Sequence, residues 1–210
     1  MKLAIFDMDG TLIDTIGDIH ACLNKTLLVY GFQPVTLEQT KEYVGGGIRQ
    51  LLINAVGEMN FMDMMEKYFR AVYQDIMTNT THLFSSVPET LEYIRKSDMK
   101  AVILSNKIRP IVNDLVHHFE IENYLDGWYG GDTFGIKKPS PVPVTEIMKL
   151  HNAEPSKTIM IGDASTDVMA GAQAGAKTCF CAYGYGTLKN VKPDFQADRP
   201  EDLIRILEEF

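Results

Sequence analysis

Apolar residues follow two different rhythms along this chain. The first is a short continuous run, Leu3-Ala4-Ile5-Phe6, which ends in Asp7-Met8-Asp9-Gly10-Thr11. A run of that length bounded by turn residues predicts a buried strand with polar groups at its carboxyl end. Over residues 15–82 the rhythm is helical. Ile16, Ile19, Leu23, Leu27 and Tyr30 recur every three or four positions up to Gly31, and a second periodic run starts after Thr36. Gly45-Gly46-Gly47 interrupts the pattern before Ile48, Leu51, Leu52 and Ala55, and a Met- and aromatic-rich run at 59–77 follows. No strand is expected in this block. The Met and aromatic positions read as helix packing rather than as a ligand box.

After residue 82 the two rhythms alternate. Helices at 87–97, 110–119, 142–151 and 166–174 lead to strands at 100–104, 127–130, 158–161 and 178–182. Continuous apolar strands separated by helices predict an α/β fold, a Rossmann-like doubly wound parallel sheet with helices on both faces. The expected division is a core of residues 1–14 and 83–210, with an all-helical cap, residues 15–82, inserted after the first strand and set over the carboxyl ends of the strands.

Length agrees with that division, because 210 residues at roughly 150 per domain give about 1.4 domains. The 20 basic and 28 acidic residues give a net charge of −8, with no Lys/Arg block, so a nucleic-acid polymer is not an expected partner. Hydrophobic residues make up 45% of the chain and charged residues 23%, a composition that supports a packed core. Three cysteines, Cys22, Cys179 and Cys181, form neither a disulfide framework nor a zinc-ligand spacing, and the histidines add no ligand pattern. The first apolar run is too short for a signal peptide or membrane span. A cytoplasmic protein, monomeric or homodimeric and without a membrane partner, is the expectation.

Three predicted strand ends carry polar residues that a buried sheet does not need. They are Asp7 to Thr11, Ser105-Asn106-Lys107, and Gly162-Asp163-Ala164-Ser165-Thr166-Asp167. Parallel strands of a doubly wound sheet end on one edge, so these clusters converge, joined by Lys137-Lys138-Pro139. Crowded carboxylates repel one another unless a cation sits among them, and an all-oxygen site favours Mg²⁺. A lysine and a hydroxyl beside such an ion suit a phosphoryl group. Asp7 and Asp9, two apart in an extended segment, can face the same pocket, one as nucleophile and the other as general acid and base. Gly10 lets the backbone turn its amides toward phosphate, and Thr11 can orient the loop.

With these residues in view, the chain resembles a haloacid dehalogenase superfamily phosphatase of the phosphoglycolate phosphatase-like branch. Four motifs carry the resemblance in order: Asp7-Met8-Asp9-Gly10-Thr11-Leu12, Leu104-Ser105-Asn106-Lys107, Lys138-Pro139-Ser140-Pro141, and Ile161-Gly162-Asp163-Ala164-Ser165-Thr166-Asp167. The resemblance implies Asp7 as nucleophile, Asp9 as acid and base, and Ser105, Asn106 and Lys138 as phosphate binders. It also implies Mg²⁺ held by Asp7, Asp163 and the Asp9 carbonyl, with Asp167 behind them or holding Lys138. The second aspartate, Asp9, disfavours dehalogenation. Bland readings stand beside these roles: Ser105-Asn106 as a cap for the helix starting near Ile108, Lys137 in place of Lys138, and Asp167 as an acid complementing a helix N-terminus. Gly46, Gly47 and Arg49 resemble a substrate loop of the cap, or simply turn the chain. The implied substrate is a small phosphorylated metabolite, 2-phosphoglycolate first. Pyrophosphate, nucleotides, sugar phosphates and a β-phosphoglucomutase-like transfer stay open. The non-enzymatic alternative is a phosphate- or partner-binding module.

Overall fold

The computed structural model describes residues 1–210. The first strand, β1 (Lys2–Phe6), leads through a two-residue strand, β2 (Ile13–Asp14), into four helices: α1 (Ile16–Val29), α2 (Leu37–Tyr43), α3 (Ile48–Val56) and α4 (Asp63–Ile76). A second two-residue strand, β3 (His82–Leu83), returns the chain beside β2 in antiparallel register, Ile13 opposite Leu83 and Asp14 opposite His82. The expectation of no strand up to residue 82 is therefore corrected at His82. Two residues carry no periodicity, so this ribbon, through which the chain enters and leaves the helical block, is invisible to pattern reading.

Alternation then runs α5 (Val87–Lys96), β4 (Met99–Leu104), α6 (Arg109–His118), β5 (Gly127–Tyr129), α7 (Val142–Leu150), β6 (Thr158–Gly162), α8 (Ser165–Gln173) and β7 (Lys177–Cys181). The pattern read above stops at residue 182, but the sheet does not. A sixth parallel strand, β8 (Phe195–Ala197), pairs with β7, and α9 (Asp202–Glu209) covers it with Leu203, Ile206 and Leu207. Strand order is β5-β4-β1-β6-β7-β8, all parallel.

Alternation along β1 separates two cores. Ala4 and Phe6 join Ala101, Ile103, Ile159 and Ile161 on the face covered by α5, α6 and α9, while Leu3 and Ile5 join Val102, Leu104 and Met160 under α7 and α8. Cys179 and Cys181 share the first of these faces, buried and unpaired, as small apolar residues. Strand order reverses beside β1, since the chain builds outward through β4 and β5 before crossing to β6. The crevice beyond the carboxyl ends of β1 and β6 is the switch point where open α/β sheets bind ligands. No helix is long and apolar enough to cross a membrane.

Candidate active site

Register brings three strand ends to one level, with Phe6 opposite both Ile103 and Ile161. Asp7 therefore follows β1 at the height where Ser105 follows β4 and Asp163 follows β6. The Asp7 amide donates to the Ile161 carbonyl at 2.8 Å, which fixes its backbone. Its Oδ1 accepts from the Met8 amide at 2.7 Å and pairs with Lys138 Nζ at 2.9 Å, leaving Oδ2 without a hydrogen bond.

Of the two neighbouring lysines, Lys138 is the one set among the carboxylates. Its side chain is 1% exposed, and Nζ lies 2.9 Å from Asp7, 2.7 Å from Asp167 and 2.6 Å from the Leu104 carbonyl. Burial opposes its charge, but Asp167 and Asp7 outweigh burial and hold the ammonium pKa above its usual value. Lys137 lines the cavity without an acidic partner. Asp167 has both oxygens engaged: one pairs with Lys138, and the other accepts from the Ala164 amide at 3.0 Å at the start of α8.

Asp163 Oδ2 accepts from the Tyr185 and Gly186 amides at 2.9 Å each. Gly10 makes this possible: it has φ +74°, and a Cβ there would run into the Asp163 carboxylate. Asp7, Asp163 and Asp167 each present one oxygen within 4.8 Å of the others. One ammonium does not balance these charges. Burial pushes Asp7 up to about 7 and Asp163 well above the carboxylate range, with like-charge neighbours adding to both. An under-compensated, all-oxygen cluster of this kind fits a hard divalent cation, which takes one or two carboxylates and keeps other positions for water and substrate.

Asp9 turns the other way. Its Oδ1 accepts from Thr15 Oγ1 at 2.6 Å and Lys107 Nζ at 2.7 Å, while Oδ2 accepts nothing. Thr15 is itself set by Tyr185, whose hydroxyl accepts from the Thr15 amide at 2.9 Å. The Asp9 carboxylate is thus outside the three-acid cluster.

Asn106 lines the cavity, but its side chain is occupied: Nδ2 donates to the Gly45 carbonyl at 2.8 Å and to the Lys138 carbonyl at 3.0 Å, while Oδ1 accepts from the Lys138 amide, which leaves the backbone amide as its group without a partner. The side chain clamps the Lys138 loop to the glycine turn of the helical block. Ser105-Asn106 does not cap α6, since Ser105 Oγ accepts from the Lys107 amide and closes a local turn. In the helical block, Gly46 and Arg49 do not line the cavity. Arg49 is 60% exposed, pairs with Asp63 at 2.9 Å and lies over Phe61. Gly47 does line the cavity, as do Lys41 and Arg70, the latter paired with Glu66. Thr11 is fully buried, its carbonyl accepting from Tyr183, so it shapes the loop from beneath.

The cavity between sheet and helices has Asp7, Asp9 and Asp163 on its floor and Ile48, Leu51 and Tyr73 in its roof. About 70 Å³ is open to the centres of water-sized molecules. One water needs roughly 10–15 Å³ on that measure, so the enclosed space suits a compact ligand. Lys107, Thr15 and Tyr185 are the residues of this site that pattern reading left without a role. Lys107 lay in a recognised motif, and Tyr185 lies just beyond a strand end, so position alone could have flagged both.

Comparison with known proteins agrees with this geometry. A family model described as haloacid dehalogenase-like hydrolase matches residues 4–181. A phosphoglycolate phosphatase of Aquifex aeolicus is 35% identical over 208 residues, covering 99% of this chain and 97% of that protein. One of Vibrio vulnificus is 29% identical over 219 residues, covering 99% and 96%. Among solved structures, a predicted phosphoglycolate phosphatase from Haemophilus somnus superposes with a TM-score of 0.90 at 25% identity, covering 98% of this chain and 97% of that one. A haloacid dehalogenase-like family hydrolase from Streptococcus pneumoniae has the same fold, with a TM-score of 0.89 at 21% identity and 98% of each chain covered. Four ordered motifs, the acid cluster at the switch point and a match across most of the sequence lead to one conclusion: this chain belongs to the haloacid dehalogenase-like hydrolase family.

Proposed function

We propose that the protein is a cytoplasmic, Mg²⁺-dependent phosphomonoesterase for small phosphorylated metabolites, with 2-phosphoglycolate as the first substrate to test. The observation that carries this reading is Asp7, whose Oδ2 is free at the switch point between a buried ammonium and a second carboxylate with a free oxygen, Asp163 Oδ1. The named activity of the Aquifex and Vibrio relatives and the small cavity support the substrate. Three unpaired buried cysteines suit a reducing compartment.

Asp7 and Asp163 side chains, with the Asp9 carbonyl, would hold Mg²⁺, which when bound neutralises phosphoryl charge and orients the phosphate. Asp7 Oδ2 attacks phosphorus in line, forming the Asp7 O–P bond as the bond to the leaving oxygen breaks. Asp9 Oδ2 gives its proton to that oxygen. It then takes a proton from water as the water attacks phosphorus and frees Asp7. Lys138 keeps Asp7 oriented and adds positive charge beside the equatorial oxygens. Residues 15–82 act as a cap that screens the site from bulk water.

Hydrolysis of p-nitrophenyl phosphate with and without Mg²⁺, followed by a phosphometabolite screen scored by kcat/KM, tests the reading. Metal-dependent release of phosphate, highest with a short anionic monoester, is expected. Phosphate binding without turnover would instead mark a binding module, and isomerised sugar phosphate without net release would mark a mutase.

A further inference from the structure

The mechanism leaves Lys107 without a task, although it is the cation nearest the proposed acid and base. Its side chain is 9% exposed, and Nζ lies 2.7 Å from Asp9 Oδ1. On the opposite side it faces the ring of Tyr73 at 5.0 Å, and Tyr73 belongs to α4 of the helical block. Tyr73 is 2% exposed and stacks on Phe69 at 5.7 Å, so the ring is held by its own helix; its hydroxyl has no hydrogen-bond partner. The preceding residue reaches the same block by another route, Asn106 Nδ2 to the Gly45 carbonyl. The turn at 105–107 is therefore where the core feels whether the helical block is seated.

Asp9 Oδ1 has two donors, Thr15 and Lys107, with different supports. Thr15, at the first position of the helical block, is held by Tyr185 of the core, whereas Lys107, in the core, has its ammonium over the ring of Tyr73 in the helical block. A desolvated ammonium over an aromatic face holds a carboxylate far more firmly than a hydrated one. We propose that Lys107 is the positioning residue for Asp9: with Tyr73 over it, it pins Oδ1 and turns Oδ2 toward the leaving oxygen, making proton transfer conditional on cap closure. This rests on Asp9 being the acid and base of the proposed reaction.

The test uses leaving groups that differ in their need for a proton. Single-turnover release is measured for wild type, Lys107→Met, Lys107→Arg, Tyr73→Leu and Tyr73→Phe, with the best alkyl phosphomonoester of the screen and with p-nitrophenyl phosphate. A nitrophenolate departs without protonation. Lys107→Met should slow alkyl release roughly ten- to a hundred-fold, within the range of general acid catalysis. Its loss with the aryl ester should be at least tenfold smaller. Lys107→Arg should recover part of the alkyl rate, and Tyr73→Leu should lose more than Tyr73→Phe because the ring face makes the contact. Losses in Lys107→Met/Tyr73→Leu should not multiply, since both act through one contact. Thermal melts exclude misfolded variants, and Lys107→Arg carries the test if Lys107→Met does not fold. Equal losses on both esters with a raised KM would overturn the proposal, making Lys107 a phosphate binder; so would fully multiplicative losses in the double variant. If Asp9→Asn itself shows no alkyl-selective loss, the acid and base assignment fails instead.

Discussion

Asp18, in the first turn of α1, ties the start of the helical block to its end. Asp18 is 2% exposed, and its carboxylate accepts from four donors: the Thr80 amide at 3.0 Å, Thr80 Oγ1 at 2.8 Å, the Thr81 amide at 3.0 Å and Thr81 Oγ1 at 2.7 Å. Replacing it by Ala strands two backbone amides and two hydroxyls. A hydrogen bond to a charged group is worth roughly 1.5–3 kcal/mol net. The threonine hydroxyls can rotate to new partners, so the two amides set the scale, about 3–6 kcal/mol before the relief of unburying the charge. A net loss of about 3 kcal/mol for Asp18→Ala is expected, or roughly 6–12 °C in Tm for a domain of this size. Burial opposes the Asp18 charge, but the hydrogen bonds from Thr80 and Thr81 outweigh it and hold the pKa below 3.8. Such a group adds stability in full above the unfolded carboxylate pKa of about 3.9, and that stability disappears as pH falls through the lower folded value. Urea denaturation of both proteins at stepped pH should show a constant gap from about pH 5 to 8 that narrows below about pH 4. A gap under about 1 kcal/mol at pH 7, or one that persists undiminished to the acid limit of folding, would refute the reasoning.

Lys138→Met should abolish turnover and cost about 3–5 kcal/mol in denaturant titrations at neutral pH, because it leaves Asp7 and Asp167 buried without their cation. Gly10→Ala forces an alanine to φ +74° and its methyl into the Asp163 carboxylate, so Mg²⁺ affinity measured by calorimetry should fall more than about tenfold while the sheet still folds. In metal-free protein Asp7 is raised from 3.8 to about 7, which favours its protonated form in the fold. Stability from that group is present at low pH and lost as pH rises through about 7. Thermal melts should therefore show Mg²⁺ raising Tm more at pH 8 than at pH 6.

What the sequence made legible follows from how far each interaction reaches. Asp7, Asp163 and Lys138 were legible because each sits at a strand end or in a motif, and parallel register carries strand ends to one edge whatever the details of packing. Asn106 was assigned by its neighbours, but its amide hydrogens are consumed by carbonyls 61 and 32 residues away in the chain, a pairing no local pattern contains. Arg49 sits away from the cavity for a related reason: the turn of α3 that carries it points toward Asp63 and Phe61, and Arg70 of α4, itself paired with Glu66, lines the cavity instead. The β2–β3 ribbon is too short to have a period. By contrast α9 has Leu203, Ile206 and Leu207 at helical spacing, a pattern the sequence does carry, whereas β8, at three residues, falls short of a typical strand.

The central claim is that Asp7 carries the phosphoryl group, and acid quenching during a single turnover with radiolabelled substrate tests it most directly. The account predicts label bound covalently to the peptide containing Asp7, acid-stable and hydroxylamine-labile as an acyl phosphate is, and absent from folded Asp7→Asn together with turnover. Phosphate release at the wild-type rate with no label on that peptide, or substantial hydrolysis by Asp7→Asn, would contradict it.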